Sequence, residues 1–556
     1  MKKLLAILLA AGMVLSLAAC GSTPAAGTPA ASSEAAPAAE AAETAEAPAA
    51  AAGERHLNIV FHDPTVSLSP YQGMGDAAAY LQCYGYEELF MKQLANSTVG
   101  GDGSQELLPV IAKSYEKVDP KTYEIEIYDY VHDSEGNPIT ADDVVFSFNK
   151  CMELGNLAVA VGGIESVEKI DDYHIRYVLN NTQAGAFENS ITQVGIVSQK
   201  AYEEHDGFVT ECVSTSPYKI QNFISGASMD FVKNEDYWQK DELRTIFSQT
   251  NVDSVHITFV TGEDTRALAV QTGDADFATR VPQSQLYLFE GNPDYTVFSV
   301  PNSLTYITSF NMGTSASGFE SVFKDNELLR KAILTGIDQQ AFVTSVAGGA
   351  GDVAHTYGNK FYPDYLDKWE TEEYYDYDLD KAKEMLAEAG YGENELEIKI
   401  LCTSSGIFAS NAQVLQACLS KMGVKAELMP VDSSIFNDTR NSYEGWDMVV
   451  DNKGAGDFVS TVFKYSFDQD MYGGHTQCGY VDEDMQVLLR AALDAETHNA
   501  DTVDAFHQYL KNTAISYGIY YDYYNYPATS KIKTCPFSDK SVFLFGAAEY
   551  DDSLFQ

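Results

Sequence analysis

The sequence is short of basic residues, cysteine and tryptophan, and the shortage of positive charge already excludes one class of partner. Its 556 residues contain 35 Lys and Arg against 81 Asp and Glu, which gives a formal net charge of −46. A surface of that charge repels the phosphate backbone, so we expect no nucleic-acid partner. Hydrophobic residues make up 45% and aromatic residues 12%, as in a globular chain with several domains.

The eight cysteines indicate neither a disulfide framework nor a zinc site. They are widely scattered and no CxxC pair occurs, whereas both kinds of site show characteristic spacings. Apart from Cys20 we expect buried free thiols, with one or two disulfides as the alternative. The histidines are dispersed as well, so we predict no metal site and no cofactor.

Catalytic motifs are also missing. The sequence contains no HExxH, GxSxG, GxxxxGK[ST] or GxGxxG pattern. Paired carboxylates occur throughout so acidic a chain and therefore carry no information. We predict that the protein is not an enzyme, with a secreted hydrolase that lacks these motifs as the alternative.

Long hydrophobic runs are absent except at the N-terminus. Lys2 and Lys3 precede an apolar run of about sixteen residues, 4–19, which is shorter than the roughly twenty needed to span a membrane. The pattern is typical of a secretory signal peptide. Because Cys20 follows Leu-Ala-Ala, as in a bacterial lipobox, we expect residues 1–19 to be removed and Cys20 to be lipidated; an ordinary signal peptide with a chance cysteine is the alternative.

The segment 20–55 is rich in Ala, Pro and Glu and has no aromatic residue. Such a segment cannot bury enough apolar surface to offset the entropy of ordering. We expect a disordered tether that holds the folded body at the extracytoplasmic face of the cell membrane, and its length suits a Gram-positive surface.

The remaining sequence alternates strand and helix patterns. Residues 122–130 alternate apolar and polar side chains like a half-exposed strand. Thr140 and Asp143 form a capping-box variant that opens a helix. A second helix is predicted over 263–272, ended by Gly273. Strand, helix and strand within 396–428 indicate a βαβ unit with a parallel strand pair. These patterns predict an α/β protein.

Several segments, in one order along the chain, resemble a known family. They are 107–116, 133–144 with the letters TADDV at its end, 216–220, 234–238, 266–276, 329–333 and 377–391. Together they resemble the solute-binding proteins of ABC importers in the dipeptide and oligopeptide class, solute-binding family 5. Each segment alone is weak, but their order and spacing behind a lipobox make the resemblance specific.

The resemblance implies a two-lobed, periplasmic-binding-protein-like (type II) α/β fold with an additional inserted α+β domain. Lobe I would be discontinuous and would receive the inserted domain. The implied bounds are 56–94, 209–302 and 521–556 for lobe I, 95–208 for the inserted domain, and 303–520 for lobe II.

The resemblance also implies a function. The protein would be the extracytoplasmic component of an ABC importer that captures short peptides between its lobes and delivers them to a membrane permease with its ATPase subunits. The same fold binding an oligosaccharide, a nickel chelate or haem is the nearest alternative. A secreted enzyme or an adhesin is the more distant one.

Site residues follow from the same resemblance. In this family a Gly-Trp pair usually precedes the acidic residue that holds the ligand's α-amino group, and that pair is missing here. Asp457 is the preferred counterpart and Asp451 the second, while solvated or capping carboxylates are the alternative for both. Lys453 and Gly454, which lie between these two carboxylates, are predicted as further ligand contacts. Tyr71 and Tyr306 are predicted as contacts because their segments are expected near the cleft, with core or surface aromatic residues as the alternative.

Overall fold

The computed structural model describes residues 53–556 except 74, 95–97, 100, 102–105, 315–316, 455–457 and 556. The predicted signal peptide, Cys20, the tether up to residue 52 and Asp457 lie outside the described residues.

Eighteen strands are present in the described chain. They are β1 (His56–Phe61), β2 (Phe90–Lys92), β3 (Leu107–Pro109), β4 (Ala112–Lys117), β5 (Thr122–Ile127), β6 (Ile164–Asp171), β7 (His174–Leu179), β8 (Tyr218–Ile224), β9 (Ser228–Lys233), β10 (Ser254–Phe259), β11 (Phe277–Ala278), β12 (Tyr295–Pro301), β13 (Thr305–Phe310), β14 (Gly351–Val353), β15 (Glu397–Thr403), β16 (Lys425–Val431), β17 (Met448–Lys453) and β18 (Ser516–Thr529).

Fourteen α-helices accompany the strands in the described chain. They are α1 (Asp76–Tyr84), α2 (Ala141–Leu154), α3 (Ala158–Val161), α4 (Ala186–Ile191), α5 (Gln199–Glu204), α6 (Glu263–Thr272), α7 (Glu327–Thr335), α8 (Gln339–Ser345), α9 (Leu379–Glu388), α10 (Ile407–Lys421), α11 (Phe436–Ser442), α12 (Val459–Phe467), α13 (Glu483–Leu493) and α14 (Ala500–Thr513).

One twelve-stranded sheet joins two bodies of the molecule. Its order is β16-β15-β17-β13-β18-β11-β1-β10-β9-β8, with β12 and β14 also paired to β18. β18 pairs with β13 and β14 through its first half and with β11 and β12 through its second half. We call the body around β1 and β8–β12 lobe I, and the body around β13–β17 lobe II.

A separate four-stranded antiparallel sheet, in the order β4-β5-β7-β6, forms a third body that we call the side domain. Each body has its own hydrophobic core. The lobe II core runs from Tyr306 to Tyr520, the side-domain core is centred on β5, β7 and α2, and the lobe I core combines β1 and β8–β10 with residues near the C-terminus. The mixed α/β fold is confirmed; the residue bounds of the three bodies stay a prediction.

Three elements that local sequence patterns predicted are present in the structure. Thr140 and Asp143 form the capping box of α2, with the Thr140 N–H donating to Asp143 Oδ2 at 2.9 Å. α6 ends at Gly273, whose φ of 83° lies in the left-handed region that glycine tolerates. β15 and β16 are parallel and joined by α10, as the predicted βαβ unit requires.

Two further expectations concern thiols and membrane spans. All seven cysteines of the described chain are free, and every one except Cys212 is buried, as predicted. Burial raises the pKa of Cys83 to about 12. Among the described residues, no helix combines the length and apolar character needed to cross a bilayer.

Candidate functional site

Two chain segments cross from lobe I to lobe II side by side. One is the middle of β18, and the other is the link 302–304 between β12 and β13. Asn302 donates twice to Asp522 on β18, from its backbone N–H to the carbonyl oxygen and from Nδ2 to Oδ1, both at 2.8 Å. These two hydrogen bonds hold the two segments together. We call the middle of β18 and the link 302–304 together the hinge.

A cavity of about 470 Å³ lies against the hinge. Lobe I contributes Glu263 and residues 280–284, lobe II contributes residues 345–348 and Ile407, and β18 contributes residues 522–525. Several of these residues follow the carboxyl ends of strands, where ligands bind in open α/β sheets. A molecule in this cavity would contact both lobes at once.

Arg280 forms the centre of a polar cluster on the lobe I wall. Its Nη2 lies 2.7 Å from Asp76 Oδ1 and 2.5 Å from Oδ2, and its guanidinium stands 3.8 Å from the centroid of the Tyr524 ring. His62 contacts the same carboxylate, with Nε2 3.1 Å from Asp76 Oδ2. Arg280 Nε is buried and has no hydrogen-bond partner in the described chain.

Asp522 is the acidic residue of the hinge and lines the same cavity. It is half-buried, and burial raises the pKa of its carboxyl above the ordinary value, an effect that the hydrogen bond from Asn302 partly offsets. Asp522 has no ion pair among the described residues, although the charge of Arg280, whose own ion pair is with Asp76, and the Tyr306 hydroxyl also lower the pKa of its carboxyl. Sequence analysis did not identify Asp522 as a site residue, although an acidic residue inside a run of tyrosines, 520–524, could have indicated it.

A second connection joins the side domain to lobe II. The segment 182–185 lies beside residues 493–495, with the Ala184 N–H donating to Leu493 O at 2.8 Å and the Ala495 N–H donating to Thr182 O at 2.7 Å. Gln183 and Asp494 form an isolated antiparallel bridge there. We call this connection the side-domain contact.

Side chains add two bonds to the side-domain contact. The Thr182 hydroxyl donates to Asp494 Oδ2 at 2.9 Å, and Lys464 Nζ on α12 donates to Gln183 Oε1 at 2.8 Å. Burial lowers the pKa of the Lys464 ammonium. The contact therefore rests on a few polar bonds rather than on a shared core.

Gly185 packs directly against lobe II. Its φ of 71° and ψ of 1° are left-handed, and a Cβ at this position would collide with the ring of Phe458, which precedes α12. Only glycine satisfies both the backbone conformation and the close approach.

Comparison with known proteins identifies the family. The family model "Bacterial extracellular solute-binding proteins, family 5 Middle" matches residues 106–472, which is more than half of the chain. This chain belongs to that family. The family consists of solute-binding proteins and not of enzymes.

Curated relatives of this solute-binding protein are distant. Oligopeptide-binding protein AppA of Bacillus subtilis is 24% identical over 367 residues, covering 61% of this chain and 63% of the relative. Heme-binding protein A of Haemophilus influenzae is 26% identical over 357 residues, covering 58% and 62%. The chain thus matches less than two thirds of the length of either relative.

Solved structures share the fold. A putative peptide-binding protein AppA from Clostridium difficile superposes with a TM-score of 0.72 at 19% identity, covering 89% of this chain and 100% of that chain. A dipeptide-binding protein from Pseudoalteromonas in complex with Met-Leu gives 0.66 at 17% identity, with the same coverage. At these identities the likeness establishes the two-lobed fold alone.

The predicted site residues of this solute-binding protein fall in different places. Asp457 lies outside the described residues. Asp451, on β17, is buried between Arg440 and Lys453, whose Nζ is 3.1 Å from its Oδ2. Burial alone would raise the pKa of the Asp451 carboxyl, but Lys453 and Arg440 together hold it below its usual value. This carboxylate already has two cationic partners, so its placement does not support a ligand's amino group as a third.

The structure also gives the positions of the other three predicted contact residues, Tyr71, Tyr306 and Gly454. Tyr71 is 1% exposed and its hydroxyl donates to Gly195 O at 3.0 Å inside the side-domain core, so its placement does not support a ligand contact. Tyr306 stacks on Tyr520 with 4.6 Å between ring centroids, close to the hinge. Gly454 packs against the link 302–304, where a Cβ would lie 2.8 Å from Ser303 O.

Proposed function

We propose that this protein is the extracytoplasmic solute-binding component of an ABC importer, which captures short peptides between its lobes and delivers them to a membrane permease with its ATPase subunits. The observation that carries the proposal is the hinge cavity, whose walls come from lobe I, lobe II and β18. A ligand that contacts both lobes favours the closed arrangement over an open one, because only the closed one offers both sets of contacts.

Family membership supports the transport role, and the names of several relatives support peptides as the ligand class. AppA of Bacillus subtilis is named an oligopeptide-binding protein, and another relative is a di/tripeptide-binding protein of Pseudomonas aeruginosa. Other relatives are named for glutathione and haem. The ligand class therefore needs a direct test.

The test is a screen of purified protein by thermal shift against di-, tri- and tetrapeptides, oligosaccharides, nickel–histidine chelates and haem. We expect stabilisation by at least one peptide class, because a ligand that binds only the folded state raises the melting temperature. Stabilisation by haem, nickel chelate or sugar alone would overturn the peptide assignment and keep the binding role. Hydrolysis of any of these compounds would overturn the binding role itself.

Asp457 is proposed as the anchor of the peptide's α-amino group. A peptide importer that accepts many side chains draws its affinity from the main chain and the termini, and closure removes water from the charged amine. Asp457→Asn should weaken binding by about 2–5 kcal/mol, or roughly thirtyfold to several thousandfold, measured by calorimetry. Affinity within about threefold of wild type would place the anchor elsewhere.

Cys20 is proposed as the lipidated N-terminus that holds the protein at the membrane. Palmitate labelling of wild type and of Cys20→Ser in the native host tests this directly. We expect label on wild type alone; equal labelling of both would overturn the lipid anchor without touching the binding role.

A further inference from the structure

The hinge cavity carries more negative than positive charge, and the excess is located on Asp522. Glu263, Arg280 and Asp522 are the charged residues of its lining, and they sum to −1. Arg280 is occupied by Asp76 at 2.5 Å and by the face of Tyr524. Arg280 lowers the pKa of Asp522 through its charge but forms its ion pair with Asp76, so the lining keeps an excess of one negative charge.

Another cation of lobe I, Arg266, does not alter this balance. Arg266 on α6 donates from all of its guanidinium nitrogens to carbonyl oxygens, namely those of residues 260, 261, 279 and 280, at 2.8–2.9 Å. Its donors hold the backbone behind the cavity wall and none of them is directed to Asp522.

We propose that the hinge cavity is a subsite for a positively charged side chain of the bound ligand, a primary ammonium or a guanidinium, with Asp522 as its partner. The inference rests on the proposed peptide capture and adds the class of peptide that is preferred, one with a Lys or Arg residue. It differs from the role of Asp457, which concerns the α-amino group that all peptides share.

The chemistry of the cavity fits such a group. A volume of about 470 Å³ accommodates a long side chain, and Tyr523 lines it beside the carboxylate, whereas the ring of Tyr524 is already covered by Arg280. Aromatic faces attract cations, and a carboxylate provides a charge-assisted hydrogen bond. Burial raises the pKa of the Asp522 carboxyl, so a cation beside it would stabilise a charge that is poorly solvated.

A purely structural role for Asp522 gives a different expectation. Its Oδ1 accepts from Asn302 Nδ2, so the residue could serve only to clamp the hinge. Asp522→Asn keeps an amide oxygen for that bond and removes the charge. If the clamp were the whole role, this variant would bind lysine and glutamine peptides in the same ratio as wild type.

The experiment measures Kd by calorimetry for six peptides: Lys-Ala-Ala, Ala-Lys-Ala, Ala-Ala-Lys and the three with Gln in place of Lys. We expect at least one Lys peptide to bind wild type about tenfold more tightly than its Gln counterpart. Asp522→Asn should reduce that ratio to within about twofold, while Asp522→Glu, which keeps the charge, should retain most of it.

The matched control is Asp352→Asn. Asp352 lies on β14 beside β18 and accepts from the Tyr523 hydroxyl at 2.6 Å, but it does not line the cavity, so the Lys-to-Gln ratio should not change. Melting curves of all variants ensure that folded proteins are compared, and Asp522→Ser supplies the uncharged comparison if Asp522→Asn does not fold.

The outcomes separate the two proposals. Equal affinities of wild type for the Lys peptides and their Gln counterparts would overturn the subsite and leave peptide capture intact. A preference for Lys that survives Asp522→Asn would do the same. If no peptide binds, the proposed function fails, and 1,5-diaminopentane and agmatine are titrated as bare cations. If either cation binds wild type but not Asp522→Asn, the subsite is supported. If neither cation binds wild type, the subsite is overturned.

Discussion

Lobe II is joined to lobe I at the hinge and to the side domain at the side-domain contact, and these two connections differ in kind. At the hinge, β18 runs without a break from one lobe into the other, and the link 302–304 is clamped to it by Asn302. At the side-domain contact, segment 182–185 meets lobe II through two backbone bonds, two side-chain bonds and the approach of Gly185 to Phe458. The first connection is covalent and permanent, whereas the second can be broken without unfolding any strand.

This difference indicates how a cleft of this kind can open. A rotation about the hinge would separate the side domain from lobe II and leave both cores intact. We therefore expect changes at the hinge to lower stability, and changes at the side-domain contact to shift the balance between open and closed forms.

The largest effect is expected from Asn302→Ala. Asn302 is 2% exposed, and its side chain donates to Asp522 and accepts from the Leu304 N–H at 3.0 Å. Leaving these half-buried groups without their partners should lower the free energy of unfolding by about 1–3 kcal/mol in urea titrations. The control Asn326→Ala removes two comparable side-chain bonds inside lobe II alone.

Both asparagine variants should lose stability, but only Asn302→Ala should also change ligand affinity, because only its bonds hold the two crossing segments together. Equal ligand affinity in wild type and Asn302→Ala would contradict the claim that the bonds between Asn302 and Asp522 affect ligand binding.

The next effect is expected from Gly185→Ala. The added Cβ would collide with the Phe458 ring, so either the ring or the segment must move and the side-domain contact must loosen. Overpacking of this kind costs about 1–3 kcal/mol, which corresponds to an affinity loss on the order of tenfold if closure is needed for binding.

Gly155→Ala is a close match as its control. Gly155 has φ 70° and ψ 0° and directly follows α2 in the side domain, the body to which Gly185 also belongs. It has open space where a Cβ would lie. The backbone strain is therefore the same and only the contact differs. Equal affinities for the two variants would show that the side-domain contact is not linked to binding.

A smaller effect is expected from Thr182→Val. The substitution keeps the shape and removes the hydroxyl that donates to Asp494. One exposed or half-buried hydrogen bond contributes about 0.5–1.5 kcal/mol, so we expect a threefold to tenfold loss of affinity at most by calorimetry. Thr439→Val, which removes a hydroxyl bond to Ile435 O at the start of α11 in lobe II, serves as control and should leave affinity unchanged.

Sequence reasoning was sufficient for the local parts of this structure. The capping box at Thr140, the end of α6 at Gly273 and the parallel β15–β16 pair all follow from residues a few positions apart. The resemblance to family 5 supplied the two-lobed fold, which no local pattern contains.

The site could not be predicted in the same way, because its contacts join residues far apart in the sequence. Asn302 and Asp522 are 220 positions apart, and Thr182 and Asp494 are 312 apart. Asp451 was a reasonable candidate from its position near Asp457, but the two cations beside it come from α11 and from the end of β17, and only the fold reveals that they share one carboxylate.

The central claim is that a ligand is captured between two lobes that close on it. Small-angle X-ray scattering of the wild-type protein, alone and saturated with a peptide from the thermal-shift screen, tests it most directly. We predict a smaller radius of gyration in the saturated protein and an intermediate shift in Gly185→Ala at the same peptide concentration. A radius that is unchanged at saturation, with binding verified by calorimetry on the same sample, would contradict capture by closure.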